Sequence, residues 1–444
     1  MDWGGSGNGR FQRKFHYRVN GAQRVNGPGP AAPQPDNSSN AARQLRLRLY
    51  LGGQASWFIS LGIQFVIFPF LVTQVLHEPA ARVGIAQMSL MIPSLLFMLL
   101  GGTIADHSDA RRILIRVHLF ATLPPLVLAL VFLTDNLSYG SLIVYALTMG
   151  TLGAFAIPAR DSALTRVAGT NIQQAVTLAM GVQMGSQLIG MLCAGLAAFT
   201  GTPALLIFQA VVMFAGFWTS TKLEPLPPTN TASAANRFVQ IADGIKSAAA
   251  TPIVATVIAL NFAVGLFYVG SFLVVLPLML RDIYQSNDAQ FTRDFAIINI
   301  CFWGGTIIAN LTLFRVGHIR HRGRIMMASL TSGLIILALF HFRMPFWLLC
   351  LLILWWGMGA GTTMTMGRTI VQVAASENHR ARVLAAYQLG FSGGAPLGAL
   401  TMGLLVGWLG VFDAVLIPAT IMIGILAMLY FFSPIWGYRA NEAG

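Results

Sequence analysis

Charge is what this 444-residue sequence has least of. Lys, Arg, Asp and Glu make up 10% of it, against 55% hydrophobic residues and a mean hydropathy of +0.67. A soluble domain carries about a quarter charged residues, so a water-soluble globular fold is excluded and a membrane protein is implied. Cysteine is also scarce. Cys193, Cys301 and Cys350 lie in separate apolar runs with no ligand spacing, which argues against a metal or disulfide role. The sequence contains no Gly-Lys dipeptide, hence no Walker A loop, and no H-E-x-x-H. One hydrolase-like pattern, "GFSGG" at Gly390–Gly394, sits in an apolar run rather than a strand–turn–helix, and small-residue helix packing is its cheaper reading. No catalytic residue, metal or cofactor is expected. Acids are scarcest of all: each of the 15 falls in a tail, a loop or the end of an apolar run. A mid-membrane carboxylate, the usual mark of a proton relay or cation site, is therefore absent from the sequence.

What the sequence has in abundance is long apolar runs, and about 20 residues suffice to cross a bilayer. Twelve spans are read near 51–76, 82–104, 113–134, 137–158, 176–200, 204–221, 253–280, 295–314, 325–341, 346–366, 384–409 and 413–433. The expected fold is an all-α polytopic membrane protein of twelve transmembrane helices. Two six-helix halves, 45–221 and 253–433, are joined by a linker at 222–252 and followed by a tail at 434–444. The linker opens on "EPLPP", and its "RFVQIADGIKSAA" is expected to lie as an amphipathic helix on the membrane surface. Residues 1–44, rich in Gly, Asn, Pro and Arg without apolar periodicity, are expected to form a disordered basic arm.

Basic residues collect on the cytoplasmic side of membrane proteins. Twelve spans place all but four of the 28 Lys and Arg on one side, the exceptions being Arg82, Arg281, Arg293 and Arg343. Both termini are therefore expected in the cytoplasm, in the inner (plasma) membrane of a bacterial cell. The net charge of +13 is mostly a topology signal and calls for no nucleic-acid partner. The arm's "RFQRKFHYR" is read as a contact to anionic lipid headgroups.

An internal repeat supports the two halves. A shift of 208 residues superposes Arg160 on Arg368, Gly185 on Gly393, Gly190 on Gly398 and Gly195 on Gly403. Related halves with a cavity at their interface suit a transporter in which one half rocks against the other.

The loop "GGTIADHSDARR" concentrates charge between spans 2 and 3. Gly101 and Gly102 permit close helix approach, and Asp106 sits where the helix dipole disfavours a carboxylate, a cost that Arg111 and Arg112 offset. This arrangement resembles the signature loop of the major facilitator superfamily, with His107 where the family usually has arginine and Ala110 where glycine or a basic residue is common. The equivalent stretch of the second half, "FRVGHIRHRGR", keeps the basic residues but has no acid. "FAIPARDSALTRVAG" and "HRARVLAAYQLGFSGGAPLGALTMGLL" are similar to the branch containing the enterobactin exporter and the transmembrane secretion effectors. The resemblance implies the major facilitator fold and a secondary active transporter working by alternating access. It also implies gating roles for Gly102, Asp106, Arg111, Arg112, Arg160 and Arg382. In span 5, "GVQMGSQLIGMLCAG" is similar to the glycine-rich motif of exporters, with Gly181, Gly190 and Gly195 in place and Met191 where the proline is usual. Export is the expected direction, with proton antiport implied by resemblance alone.

For substrate contact the spans offer neutral amides: Gln64, Gln183, Gln187, Asn261, Asn299 and Gln388. Phe68, Phe267, Tyr268, Trp303, Trp355 and Trp356 are candidates for an apolar wall. The expected cargo is a small amphiphile resembling a siderophore, drug or metabolite, carried by a monomer. A lysophospholipid or lipid flippase shares these features, and a transport-inactive sensor or scaffold is the alternative from another class.

Overall fold

The computed structural model describes residues 37–168, 171–228, 246, 248–317, 319–376 and 379–438. Met1–Ala42 and Arg43–Gly444 form separate compact units. Within the first, residues 37–42 are helical. The expectation of disorder at 1–36 and the amphipathic stretch of the linker lie outside the described residues.

Twelve long helical elements follow: α1 (Asn37–Phe70, extended by a π turn at Leu71–Val75), α2 (Ala80–His107), α3 (Ala110–Leu133), α4 (Tyr139–Ala168), α5 (Ile172–Gly195) and α6 (Thr202–Thr221). The second set is α7 (Pro252–Ala263, a π turn at Val264–Val269, then Gly270–Asp282), α8 (Asp288–Val316), α9 (Arg322–Leu339), α10 (Phe346–Ala374), α11 (Arg380–Ala414) and α12 (Leu416–Phe432). Among the described residues, eleven are long and apolar enough to cross a membrane, and α12 is an apolar helix of 17 residues. The protein is a multi-pass membrane protein.

Three boundaries differ from expectation for local reasons. The first helix starts at Asn37, ahead of the boundary at 44/45, because "NSSNAARQLRLRLY" contains no glycine or proline to stop it. The loop expected at Ala105–Arg112 shrinks to Ser108 and Asp109. Thus α2 runs through His107, and Arg111 and Arg112 lie in the first turn of α3. Spans 11 and 12 meet at a kink on Gly410, whose φ of 80° is the left-handed conformation glycine adopts without a Cβ clash.

The 208-residue repeat has a physical meaning in the packing. Gly62 of α1 meets Gly190 of α5 so closely that a Cβ on either would overlap the other helix's backbone. Gly270 of α7 meets Gly398 of α11 in the same way. Close approach of small residues substitutes for a hydrophobic drive that a lipid solvent does not supply.

Contacts between the halves occur mainly through two other pairs. A Cβ on Gly84 of α2 would lie 2.5 Å from the Ala399 carbonyl of α11, and one on Gly195 of α5 would lie 3.1 Å from the Ala296 Cβ of α8. Both contacts sit at the ends of the helices away from the side where α1 enters and α12 leaves. That distal side is tied further: Gln74 Nε2 donates to the Ser286 carbonyl at 2.7 Å, and Arg281 donates to the Glu78 carbonyl at 2.7 Å. Phe70 also packs on Phe291 with ring centroids 5.7 Å apart. Two heptads before Gly195, Gly181 lies on nearly the same face of α5, yet a Cβ there would meet nothing within 4 Å. The halves are closed distally, and no comparable contact is made at Gly181 toward the terminal side.

Candidate functional site: an uncharged cavity between the halves

Beneath the distal contacts lies a cavity of about 350 Å³, lined from α1, α2 and α7–α11. None of its lining residues carries a charge. Ligand pockets of roughly 300–1,000 Å³ with an apolar wall and few polar groups are typical small-molecule sites.

On the first half, a buried hydrogen-bond chain fixes the polar wall. Gln209, fully buried on α6, donates from Nε2 to Ser60 Oγ at 3.0 Å and to Tyr145 Oη at 3.1 Å. The Tyr145 hydroxyl donates to Gln64 Oε1 at 3.3 Å. With its carbonyl engaged, Gln64 has its amide N–H groups left for the cavity it lines. Phe68 is fully buried and stacks on Tyr145 at 6.0 Å, so it supports this chain instead of facing the cavity.

Two other lining amides are incompletely satisfied. Asn299 on α8, 1% exposed, donates from Nδ2 to the Phe295 carbonyl at 2.8 Å, which leaves Oδ1 without a partner. Gln87 on α2, 4% exposed, has an unpartnered Nε2. A buried polar atom left unpaired costs about 1–3 kcal/mol, so two of them beside one cavity are a feature to explain.

The second half supplies the aromatic wall. Phe272 and Phe302 sit 4.6 Å apart, with Trp356 edge-on to both and to Tyr268 at 6.0–6.3 Å. Trp303 reaches Phe65 of α1 at 6.5 Å. Tyr268 Oη donates to the Leu330 carbonyl at 2.7 Å, so its ring rather than its hydroxyl is presented.

Of the expected substrate contacts, the structure brings Gln64, Tyr268, Asn299, Trp303 and Trp356 together around the cavity. The others lie elsewhere. Asn261 donates to the Tyr387 carbonyl at 2.8 Å, an interhelical tie. Gln187 is buried, Gln183 half-buried and Gln388 exposed, and none of the three lines the cavity. Phe267 is half-buried off the lining. Trp355 is 60% exposed, because adjacent residues on a helix diverge by about 100° and Trp356 takes the inward face.

The signature loop divides its work differently from expectation. Asp106 is half-buried in the last turn of α2, and Gly102 is buried. The helix approach is made by Gly101, whose Cβ position would overlap the Ala154 carbonyl of α4. The structural acid is Asp109: it caps α3 by accepting from Arg111 N–H at 3.0 Å and also accepts from Leu226 N–H at 2.9 Å. Arg111 donates to the Thr221 carbonyl at 2.8 Å, and Arg112 lies 3.9 Å from Asp109. These bonds fasten the loop to the segment that leaves α6. Arg160 is buried over Phe58 at 4.6 Å and Trp57 at 5.5 Å, and Arg382 is half-buried at the start of α11.

The sequence reading passed over Gln87, Tyr145, Gln209 and Asp109. Gln87 had a usable signal, since it is the one amide in span 2 and falls three residues after Gly84 on the same helical face.

The Major Facilitator Superfamily profile matches residues 51–399. The chain belongs to this superfamily. It is a membrane transporter of small molecules rather than an enzyme. Among solved structures, the nucleoside transporter NupG is similar, with 17% identity, a TM-score of 0.68, and 89% of this chain and 99% of that chain covered. A D-xylose-proton symporter shares 12% identity at a TM-score of 0.69, over 89% and 99% of the two chains. A bacterial homologue of the lysosomal transporter Spinster, in an inward-facing and unoccupied conformation, shares 11% identity at 0.68, over 90% and 99%. At these identities the likeness is one of fold. Comparison with curated proteins finds no match.

Proposed function

We propose that this major facilitator protein is an exporter of a small, uncharged or weakly polar amphiphile from the cytoplasm of a bacterial cell. Alternating access would proceed about the distal and terminal contacts of the two halves. The observation that carries the reading is the cavity itself, lined by aromatic rings and by amides from both halves with no charged side chain. A compact cation entering it would lose its hydration without gaining an anion. The arginine-rich terminal side is taken as cytoplasmic, so a molecule closed distally opens inward, the state in which an exporter collects cargo. Asp106 with Arg111, Arg112 and Arg382 forms the terminal-side gate, and proton antiport is the coupling the signature motifs favour. The glycine-rich motif of α5, with Gly181, Gly190 and Gly195, and the similarity to the enterobactin-exporter branch both favour export over import.

Metabolite profiling of a strain lacking the protein, comparing cells with medium, tests this. The expected result is a solute enriched inside and depleted outside. Depletion inside with retention in the medium would assign import. An unchanged profile, together with loss of another phenotype on deleting residues 1–44, would favour a sensor or scaffold.

A further inference from the structure

The two unpaired buried atoms of the cavity are placed alike. Gln87 follows Gly84 by three residues on α2, and Asn299 follows Ala296 by three residues on α8. Gly84 touches α11 and Ala296 touches α5, so each amide sits one helical turn inside a contact between opposite halves, on the side chain row that faces the other half. Both line the same cavity. Their chemistry is complementary: an N–H donor on the first half and a carbonyl acceptor on the second. The Asn299 assignment follows from its own bond, because turning the amide over would set its oxygen against the Phe295 carbonyl.

We infer that Gln87 and Asn299 are specificity-determining residues for an uncharged aromatic solute that carries an amide-like edge, with a carbonyl for the Gln87 N–H and an N–H for the Asn299 oxygen. This rests on the reading of the cavity as the transport site and narrows its substrate to aromatic lactams and amides. The ring of such a solute lies among Phe302, Trp303 and Trp356, which offer faces and edges to a planar group. A volume near 350 Å³ holds two or three fused rings with room to spare. A site built to hydrogen-bond an N–H rejects the analogue lacking it far more strongly than an apolar site rejects an extra methylene, because its own polar atoms are then left unpaired.

The test uses purified full-length protein in detergent and three matched probes. These are 2-quinolinone, with both polar groups; N-methyl-2-quinolinone, with the acceptor only; and naphthalene, with neither. Quenching of tryptophan fluorescence and thermal stabilisation report binding. The expected order of affinity is 2-quinolinone over its N-methyl derivative by at least about tenfold, as for loss of one buried hydrogen bond, with naphthalene weakest. In Asn299→Leu the N-methyl discrimination collapses to near unity, whereas Gln87→Leu weakens both carbonyl-bearing probes and leaves naphthalene unchanged. Should the leucine variant fail to fold, Asn299→Asp keeps the shape and the acceptor, its protonated carboxyl donating O–H to the Phe295 carbonyl, and retains preference for the N–H probe. Equal affinity of the three probes, or no binding of any of them, overturns the inference. The metabolite profile of the deletion strain judges the transport reading separately, since it depends on no chosen probe.

Discussion

Replacing Gly84 by alanine places one methyl group between the halves. Its carbon would stand 2.5 Å from the Ala399 carbonyl oxygen and 3.0 Å from the Gly403 Cα, both backbone atoms of α11 that no rotamer change can move. The helices must separate, and separation of α2 from α11 at the distal end is the movement that opens that side. Overpacking of this kind costs about 1–3 kcal/mol. Applied to the distally closed state alone, it shifts the ratio of the two states about 5- to 150-fold toward the distally open one. In a variant with Cys193, Cys301 and Cys350 replaced, a cysteine at Ser286, now 5% exposed at the distal seal, reports the change through labelling by an impermeant maleimide. Gly84→Ala is expected to raise its labelling at least fivefold and to slow labelling of a cysteine at Gly181 on the terminal side. Gly62→Ala serves as the contrast, because Gly62 meets Gln187 and Gly190 within the first half, where no state of the cycle relieves the clash. That variant should lose folded yield with no selective rise at position 286. A Gly84→Ala protein with wild-type melting temperature and wild-type labelling at 286 would show that the distal glycine contact does not set the balance of states.

Other outcomes follow from charge and capping. Single cysteines at Ser108 and Ser138 should label from opposite faces of the membrane, with Ser108 cytoplasmic; labelling from one face would refute the twelve-span topology. Asp109→Ala removes the acceptor of two backbone N–H groups and should destabilise the protein by about 1 kcal/mol, seen as a lower melting temperature. Asp106→Asn should leave melting unchanged while slowing transport, and wild-type transport by a well-folded variant would remove Asp106 from the gate. In proteoliposomes, uncharged amphiphiles should be carried in preference to a quaternary ammonium dye. Strong selective transport of the dye would instead make the aromatic wall a cation–π site.

The fold was largely legible because its signals are of the kind sequence exposes. Apolar length set the spans, and glycines at a fixed spacing of 208 set the matching contacts of α1 with α5 and α7 with α11. The site was legible only in part. Gln64, Asn261 and Gln388 look alike in sequence, as amides in apolar runs. One lines the cavity, one ties two helices and one is exposed. Which it is depends on the rotation of each helix against its neighbours, which a weakly amphipathic span does not encode. Trp355 and Trp356 make the same point within one dipeptide. Asp109 was passed over because a capping role requires knowing that α2 continues to His107, and helix ends are the least determined feature of such a pattern.

The position of Gln87 and Asn299 links ligand to conformation. Each lies one turn from a contact that must break when the distal side opens, so a solute bonded to both holds α2 and α8 across the cavity in the distally closed arrangement. A ligand shifts an equilibrium only by its difference in affinity for the two states. Here the difference arises because opening draws the donor on one half away from the acceptor on the other. The same affinity is therefore lowered whenever the closed state is depopulated, in proportion to its fraction. Saturating 2-quinolinone is accordingly expected to slow labelling of the cysteine at 286, and most visibly in Gly84→Ala, where the open fraction is larger. The N-methyl analogue, bonded to one half only, should protect less at equal occupancy. If both probes protect equally at saturation, the amides select the solute without sensing the state. The link between binding and opening would then have to lie in the aromatic wall.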